Sequence, residues 1–229
     1  TSVTNNAGFT TTYAYDASRN LTTLTDPTGK RTFFTADSND RLVSTSGESG
    51  ANTVTFQYGV PAADQMTVTD ALGNQTVMTY DNNASVTQVV DPNGNTTSMT
   101  YDANLNLVGL VDAKGGQTNF NYDSRGNLLS TTDARGNAST LTYDVTFNQV
   151  TSLTDAKGNT TSFNYDAKGN LVTTTYPSGA SETFTYDSVG NLASKTDRNG
   201  QTITFVYNST GKLTQKTGLP SLLIQATMS

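Results

Sequence analysis

The stretch that decides the fold is residues 122–143, which read YDSRGNLLSTTDARGNASTLTY. It contains two short runs rich in Thr and Leu, and an Asp-x-x-Gly-Asn segment precedes each run. Asp at the first position and Gly three residues later are typical of a type I turn followed by a glycine bulge. Two short strands joined by such turns predict a β-hairpin, and the Thr-rich runs with frequent Gly disfavour a helix.

The same hairpin pattern repeats along the chain, because a Tyr-Asp pair returns every 21 or 22 residues. Degenerate copies at residues 36–37, 58–59 and 207–208 complete ten registers. A fixed period of this size indicates a repeat architecture, in which each unit buries its apolar face against its neighbours. The complete copies begin at Tyr15, Tyr80, Tyr101, Tyr122, Tyr143, Tyr165 and Tyr186.

We therefore predict an all-β fold of tandem β-hairpin repeats that form a continuous antiparallel, curled or spiralling sheet. The array of about ten repeats covers residues 1–217, with no domain boundary inside it, and residues 218–229 form a non-repeat tail. Leu219, Leu222 and Leu223 make the tail apolar enough to pair with an edge strand or to dock on the inner face. Because the chain starts within a repeat, we expect it to be a piece of a longer protein.

The two rims of the sheet carry different turn sequences. The turn after each first strand, which we call the Gly rim, has Gly in all nine copies, whereas the turn after Tyr-Asp, the Tyr-Asp rim, has it in four of ten. From this we predict a strict left-handed backbone position on the Gly rim and a looser turn on the Tyr-Asp rim. The residues in place of Gly on the Tyr-Asp rim are Arg19, Asp40, Ala62, Ala84, Leu105 and Phe147.

The second strand of each repeat alternates between apolar and polar residues, so it has one aromatic face and one polar face. Equivalent strands lie about 9–10 Å apart, and an intervening Leu or Thr is needed to fill the gap between aromatic rings. The apolar residues two before each Tyr position are Tyr13, Phe34, Phe56, Met78, Met99, Phe120, Leu141, Phe163, Phe184 and Phe205.

One copy departs from the pattern, at residues 51–66. Gly59, Val60 and Pro61 replace the usual turn, and Asp64 stands at the position where we expect Leu. We predict a local bulge or bend there.

The repeated unit resembles the Rhs, or YD-repeat, family over residues 8–217. The unit is Y-D-x-x-G-N-L-x-x-x-T-D-x-x-G-N-x-T, seen nearly whole at residues 122–140 and 165–183. The resemblance implies a long β-sheet that spirals into a hollow shell, as in secreted bacterial toxins, toxin-complex cocoons, wall-associated proteins and teneurins. Such shells enclose a variable C-terminal toxin. The family's terminal plug and self-cleaving residues have no match here, so the resemblance implies only the scaffold.

Composition excludes several classes of function. A net charge of −6 disfavours nucleic acid and an anionic membrane surface as partners, and no apolar run approaches the ~20 residues of a membrane helix. The chain has no Cys, and its acidic Thr-, Asn- and Gly-rich repeats favour an extracellular or cell-surface location. It has no Trp, which disfavours the similar choline-binding repeats. It also has no His, so the usual base and nucleophile of an enzyme are missing and we predict no catalytic residue and no cofactor.

The rows of Asp and the ladder of Tyr are two further candidate sites, and we predict no metal site. Two rows of Asp line the rims, but one carboxylate per turn is too few for calcium, which takes six to eight oxygens, so we interpret these Asp residues as turn caps. The ladder of Tyr could stack on sugars; we interpret it instead as core or shell lining, with some hydroxyls facing water or a polar cavity. Lys and Arg in the turns indicate a solvated rim: Lys30, Arg125, Arg135, Lys157, Lys168 and Arg198.

The sequence leaves two functions open. The first is a structural scaffold, a segment of an extracellular β-shell or of a self-assembling fibre, whose edge strands pair with further repeats or other copies and which encloses a polypeptide client. The second is a glycan-binding adhesin module.

Overall fold

The computed structural model describes residues 1–218, and their strands occupy almost every position that the repeat predicts. Two compact units are distinguished, residues 1–117 and 118–229. The prediction of a non-repeat tail lies, from residue 219 onward, outside the described residues. No helix in the described part of the chain has the length and apolar character of a membrane span.

The first unit contains eleven strands that pair in chain order, each antiparallel to the next. A single 3-10 turn, Glu48–Gly50, interrupts them. The strands are β1 (Ser2–Thr4), β2 (Thr10–Tyr15), β3 (Leu21–Thr25), β4 (Arg31–Ala36), β5 (Leu42–Ser46), β6 (Val54–Tyr58), β7 (Gln65–Thr69), β8 (Gln75–Tyr80), β9 (Val86–Val90), β10 (Thr96–Tyr101) and β11 (Leu107–Val111).

The second unit repeats the same antiparallel order with ten strands. They are β12 (Gln117–Tyr122), β13 (Leu128–Thr132), β14 (Ala138–Tyr143), β15 (Val150–Thr154), β16 (Thr160–Tyr165), β17 (Leu171–Thr175), β18 (Ser181–Tyr186), β19 (Leu192–Thr196), β20 (Thr202–Tyr207) and β21 (Leu213–Thr217). The predicted fold class, an all-β protein of tandem antiparallel hairpins, is confirmed.

The strands present two different faces, as predicted. In β12, β14 and β20 exposed residues alternate strictly with half-buried ones, and the half-buried set includes Phe120, Leu141 and Phe205. No apolar side chain of residues 1–218 is buried; the only buried residues are Thr67 and Thr174. Each unit therefore places its apolar residues on the surface of a sheet rather than inside a closed core.

Most turns of the two rims share one backbone geometry, so the prediction of a looser Tyr-Asp rim holds only for the longer turns after Tyr58 and Tyr143. Where Gly is missing from this rim, other residues carry the left-handed backbone: φ is 71° at Arg19, 61° at Ala84 and 65° at Leu105. The extra residue in the turn after Tyr143 moves this position to Asn148, with φ of 58°. The turn hydrogen bonds impose this conformation with or without Gly.

The irregular copy differs in another way than predicted. Met66, not Asp64, pairs with Tyr58 across the hairpin, as Leu128 pairs with Tyr122 in a regular copy. The connection between β6 and β7 is longer, and the register of this pair is regular, whereas the regular hairpins carry a bulge at this point. Of the predicted bulge or bend, the bulge is therefore absent here and present in the regular copies, whereas the chain does bend at Pro61 and Ala62.

Candidate functional site

The Asp residues of both rims cap their own turns. In the turn at residues 123–127, Asp123 Oδ1 accepts hydrogen bonds from the backbone N–H groups of Arg125 (2.8 Å) and Asn127 (2.9 Å), and Oδ2 accepts one from Asn127 Nδ2 (2.8 Å). The Asp133 turn on the Gly rim has the same three bonds. This confirms turn capping and explains why Asn follows Gly in the repeat.

These hydrogen bonds favour the charged carboxylate, so they lower the pKa of Asp123 and Asp133. The side-chain amide of Asn127 is the main cause at Asp123, and that of Asn137 at Asp133. Within residues 1–218 no three acidic side chains converge as a metal site would require. The oxygens of these carboxylates hold the turns together.

A second feature of the regular repeat is a bulge in β13, the first strand of the hairpin at residues 122–143. Tyr122 pairs with Leu128 and Asn121 pairs with Ser130, so Leu129 is the extra residue. On its other side, β13 pairs with β14 only from Ser130 onward. The bulge therefore leaves the carbonyl group of Leu128 without a ladder partner from β14.

The Tyr of the next repeat supplies that partner. The Tyr143 hydroxyl donates a hydrogen bond of 3.0 Å to the Leu128 carbonyl oxygen. We call this contact the tyrosine clamp, and it links a repeat to the one before it in five places among residues 1–218. The same bond joins Tyr58 to Leu42, Tyr101 to Val86, Tyr165 to Val150 and Tyr186 to Leu171, at 2.7–3.0 Å.

The clamp supplies a backbone partner to these five hydroxyls, whereas Tyr15, for example, is 52% exposed, so the expectation that some Tyr hydroxyls face water or a polar cavity stands for the Tyr residues outside the clamps. At two clamps the pKa of the Tyr is raised: burial is the main cause at Tyr165 and Tyr186, and a neighbouring carboxylate, Asp144 or Asp166, adds to it. The five clamp Tyr residues thus connect neighbouring repeats.

The aromatic face follows the predicted spacing, with one addition. Phe120 lies opposite Thr131 and Phe163 opposite Thr174, so a Thr fills the gap between rings as expected. Toward the end of the array Lys takes this place: Lys195 lies opposite Phe184 and Lys216 opposite Phe205. Both ammonium groups lie over the facing ring, at 5.5 and 5.8 Å from its centre.

Some charged side chains reach neighbouring repeats, so the prediction of a simply solvated rim holds only in part. Arg125 Nη1 donates to the Val145 carbonyl (3.0 Å), and the Arg198 guanidinium lies over the Tyr176 ring (4.8 Å). Two of the three carboxylates outside the repeat pattern form ion pairs, Glu48 with Arg31 and Glu182 with Lys195, both at 3.1 Å. The third is Asp64.

Antiparallel hairpins, Asp-capped turns and tyrosine clamps together define a YD-repeat array. The sequence model of the teneurin YD-shell matches residues 58–219, and that of the RHS repeat matches residues 1–31. The chain therefore belongs to the teneurin YD-shell family, and it is a structural repeat scaffold. A search of curated protein sequences gave no match.

Solved toxin structures share the fold. The crystal structure of TcdB2-TccC3-Cdc42 has a TM-score of 0.65 at 17% identity, over 95% of this chain and 13% of that one. The crystal structure of TcdB2-TccC3 without its hypervariable C-terminal region has a TM-score of 0.63 at 17% identity, over 91% and 13%. That of TcdB2-TccC3 has a TM-score of 0.50 at 17% identity, over 95% and 16%. This chain thus spans only 13–16% of these three proteins.

Proposed function

We propose that this chain is a non-catalytic segment of an extracellular or cell-surface YD-repeat shell, completed by further repeats. The observation that carries the proposal is the absence of any buried apolar side chain among residues 1–218, although each unit has an aromatic face. Water-exposed apolar faces of this kind are usually covered by a partner surface. Further repeats and an enclosed polypeptide are the coverings that we propose.

Pairing through an edge strand would supply the further repeats. Within residues 1–218, β21 pairs only with β20, and all five of its residues are exposed. A strand in this position offers free N–H and C=O groups to another strand. Another YD-repeat segment or a second copy of the chain would extend the sheet there.

The proposal that the segment does no catalysis is supported by its polar chemistry. The sequence has no His and no Cys, and the rim carboxylates are engaged in turn hydrogen bonds. Glu48 and Glu182 are paired with Arg31 and Lys195. The adhesin alternative receives no support from the Tyr ladder, because the clamp hydroxyls are already bonded to the backbone.

The edge is tested by a pair of proline variants of the whole chain. Lys216→Pro removes a backbone N–H of β21 that faces away from β20, because the alternation of the ladder directs the N–H of Gln215 toward Val206, and we expect it to abolish oligomers or fibres seen by electron microscopy and sedimentation. Ser209→Pro is the matched control, since Pro27, Pro92 and Pro177 occupy the same position in turns of the Gly rim. Assemblies that persist in Lys216→Pro would refute pairing through β21.

The covering of the aromatic face is tested by quenching. In an assembled sample, acrylamide should quench Tyr fluorescence much less than it quenches free tyrosine. Equal quenching would contradict the scaffold proposal.

The proposed location is tested by treating intact cells of the source organism with protease, which should remove the protein. Full protection from protease would contradict a surface location.

A further inference from the structure

The aromatic face of the second unit ends on β21, which contributes a cation to it. Lys216 lies opposite Phe205, and its ammonium group lies over that ring. All five residues of β21 are exposed, and Lys216 forms no ion pair within residues 1–218. The ammonium group is therefore open to a strand that pairs with β21.

Lys195 shows how the array pairs a cation at the equivalent position. It lies opposite Phe184, and its Nζ forms an ion pair with Glu182 Oε2 at 3.1 Å. Glu182 stands two residues before Phe184 on β18, and the residue at the same place for Lys216 is Ile203 of β20. Because the side chain of Ile203 has no charge, an acidic partner for Lys216 has to come from the outer side of β21.

The backbone of Lys216 is directed toward that outer side. The pairing of β20 with β21 repeats that of β12 with β13: Tyr207 lies opposite Leu213, and a bulge follows. Because hydrogen-bonded and non-hydrogen-bonded pairs alternate along an antiparallel ladder, Lys216 directs its N–H and C=O groups away from β20. A residue opposite Lys216 on an added antiparallel strand would bond both groups, and its side chain would lie beside the ammonium group.

The carbonyl group of Leu213 is a second open group on this edge. It stands at the position of the Leu128 carbonyl, which the Tyr143 hydroxyl clamps. Among residues 1–218 no strand lies on the outer side of β21, so no Tyr is placed to clamp the Leu213 carbonyl there. Because five repeats clamp this position, a Tyr of an added strand can bond it.

One strand of the chain carries an acidic residue and a Tyr at the spacing that this edge requires. In β18, Glu182 lies opposite Thr174 of β17, and Tyr186, four residues later, clamps the Leu171 carbonyl. Positions 171 and 174 of β17 correspond to positions 213 and 216 of β21. Glu182 is the one acidic residue in the strands of residues 1–218, and β18 is already paired on both sides.

We propose that β21 binds an extended strand of another YD-repeat segment, with an acidic residue opposite Lys216 and a Tyr four residues later. Such binding is a form of the edge pairing proposed above and rests on it. A second copy of this chain fits less well, because its edge strands β1 and β21 contain no acidic residue. The positions one repeat after Ile203 and Tyr207 hold Ile224 and Met228, which have neither a carboxylate nor a hydroxyl.

The partner is tested by titrating the full chain with the end-blocked peptide ASETFTYD, which has the sequence of residues 180–187. In NMR spectra the peptide should shift the amide resonance of Lys216 and slow the hydrogen exchange of its N–H. The Glu182→Lys peptide should bind about threefold to tenfold more weakly, because it places like charges opposite each other. The Tyr186→Phe peptide, which cannot clamp the Leu213 carbonyl, should bind about fivefold more weakly.

A charge-reversed variant separates the ion pair from edge pairing in general. In Lys216→Glu the preference should reverse, so that the Glu182→Lys peptide binds more tightly than the original peptide. Lys212→Glu is the matched control, since it makes the same charge change in the turn before β21 and should keep the original preference. Equal affinity of the two peptides for the unaltered chain would overturn the proposal and leave pairing through β21 in place. If no peptide binds, the proposal is also wrong, and the Lys216→Pro experiment decides separately whether copies pair through β21.

Discussion

The regular hairpin at residues 122–143 and the irregular one at residues 54–80 differ in how their backbone carbonyl groups are hydrogen-bonded. In the regular copy the bulge opens the ladder between β13 and β14, and the Tyr143 hydroxyl satisfies the exposed carbonyl of Leu128. In the irregular copy the ladder between β7 and β8 is complete, and the Tyr80 hydroxyl has no carbonyl to satisfy. All five clamps follow a strand with a bulge, but Tyr122 and Tyr207 follow such strands without forming the clamp, so the bulge permits the clamp and does not by itself produce it.

Acid should separate a regular capped turn from the connection between β6 and β7 most strongly. The turn carboxylates of Asp123 and Asp133 have a pKa below the ordinary value of 3.8. Their contribution to stability is thus present above the unfolded-state pKa and is lost as pH falls through the folded pKa.

We expect the urea midpoint of the chain to fall steeply below about pH 4. Amide exchange should show the backbone N–H of Asn127 losing protection before that of Gln65, whose partner is the carbonyl of Ala62 rather than a carboxylate. Simultaneous loss of protection at both positions would mean that the Asp caps are not the acid-sensitive element.

Removing a clamp hydroxyl should have the next largest effect. Tyr143→Phe leaves the Leu128 carbonyl without its partner, and we expect the free energy of unfolding to drop by about 1–2 kcal/mol. Tyr80→Phe removes only a contact to sulfur, so its effect should be close to zero. Urea denaturation of both variants checks the difference, and equal losses would contradict the clamp.

A missing clamp should be restorable. The degenerate repeat has Ala36 at the Tyr position, while β3 carries the usual bulge and pairs with β4 only from Thr23 onward. Ala36→Tyr should add a clamp to the Leu21 carbonyl and raise stability by about 0.5–1.5 kcal/mol. Ala36→Phe is the control, because it adds the ring without the hydroxyl; an equal gain there would show packing to be the cause.

The smallest effect concerns the left-handed turn position of the regular Tyr-Asp rim. Arg19 adopts φ of 71°, which costs an L-residue about 1–2 kcal/mol, and Gly removes that strain at some cost in unfolded-state entropy. Arg19→Gly should therefore raise the melting temperature slightly, by the equivalent of about 0.5 kcal/mol. Arg19→Ala keeps the strain and should give no gain. A fall in stability with Gly would show that the left-handed conformation of Arg19 carries little strain.

The repeat period predicted most of what the structure shows in each unit. Strand positions, turn type, capping Asp residues and the alternation of faces all follow from local residue patterns, because they rest on hydrogen bonds within four residues and on the twofold period of a strand. The intervening Thr131 and Thr174 between aromatic rings followed from strand spacing alone. For the candidate site, the sequence predicted the Asp-capped turns but not the tyrosine clamps, whose two partners lie 15 residues apart in the chain.

The sequence by itself determined the fold class, the period and the capped turns, since these depend on neighbouring residues in the chain. Only the tertiary structure decided which carbonyl each Tyr bonds, since residues about 15 positions apart meet there across a bulge that no single residue marks. It also decided that Met66 rather than Asp64 pairs with Tyr58, because pairing register is set by the whole ladder of hydrogen bonds between two strands.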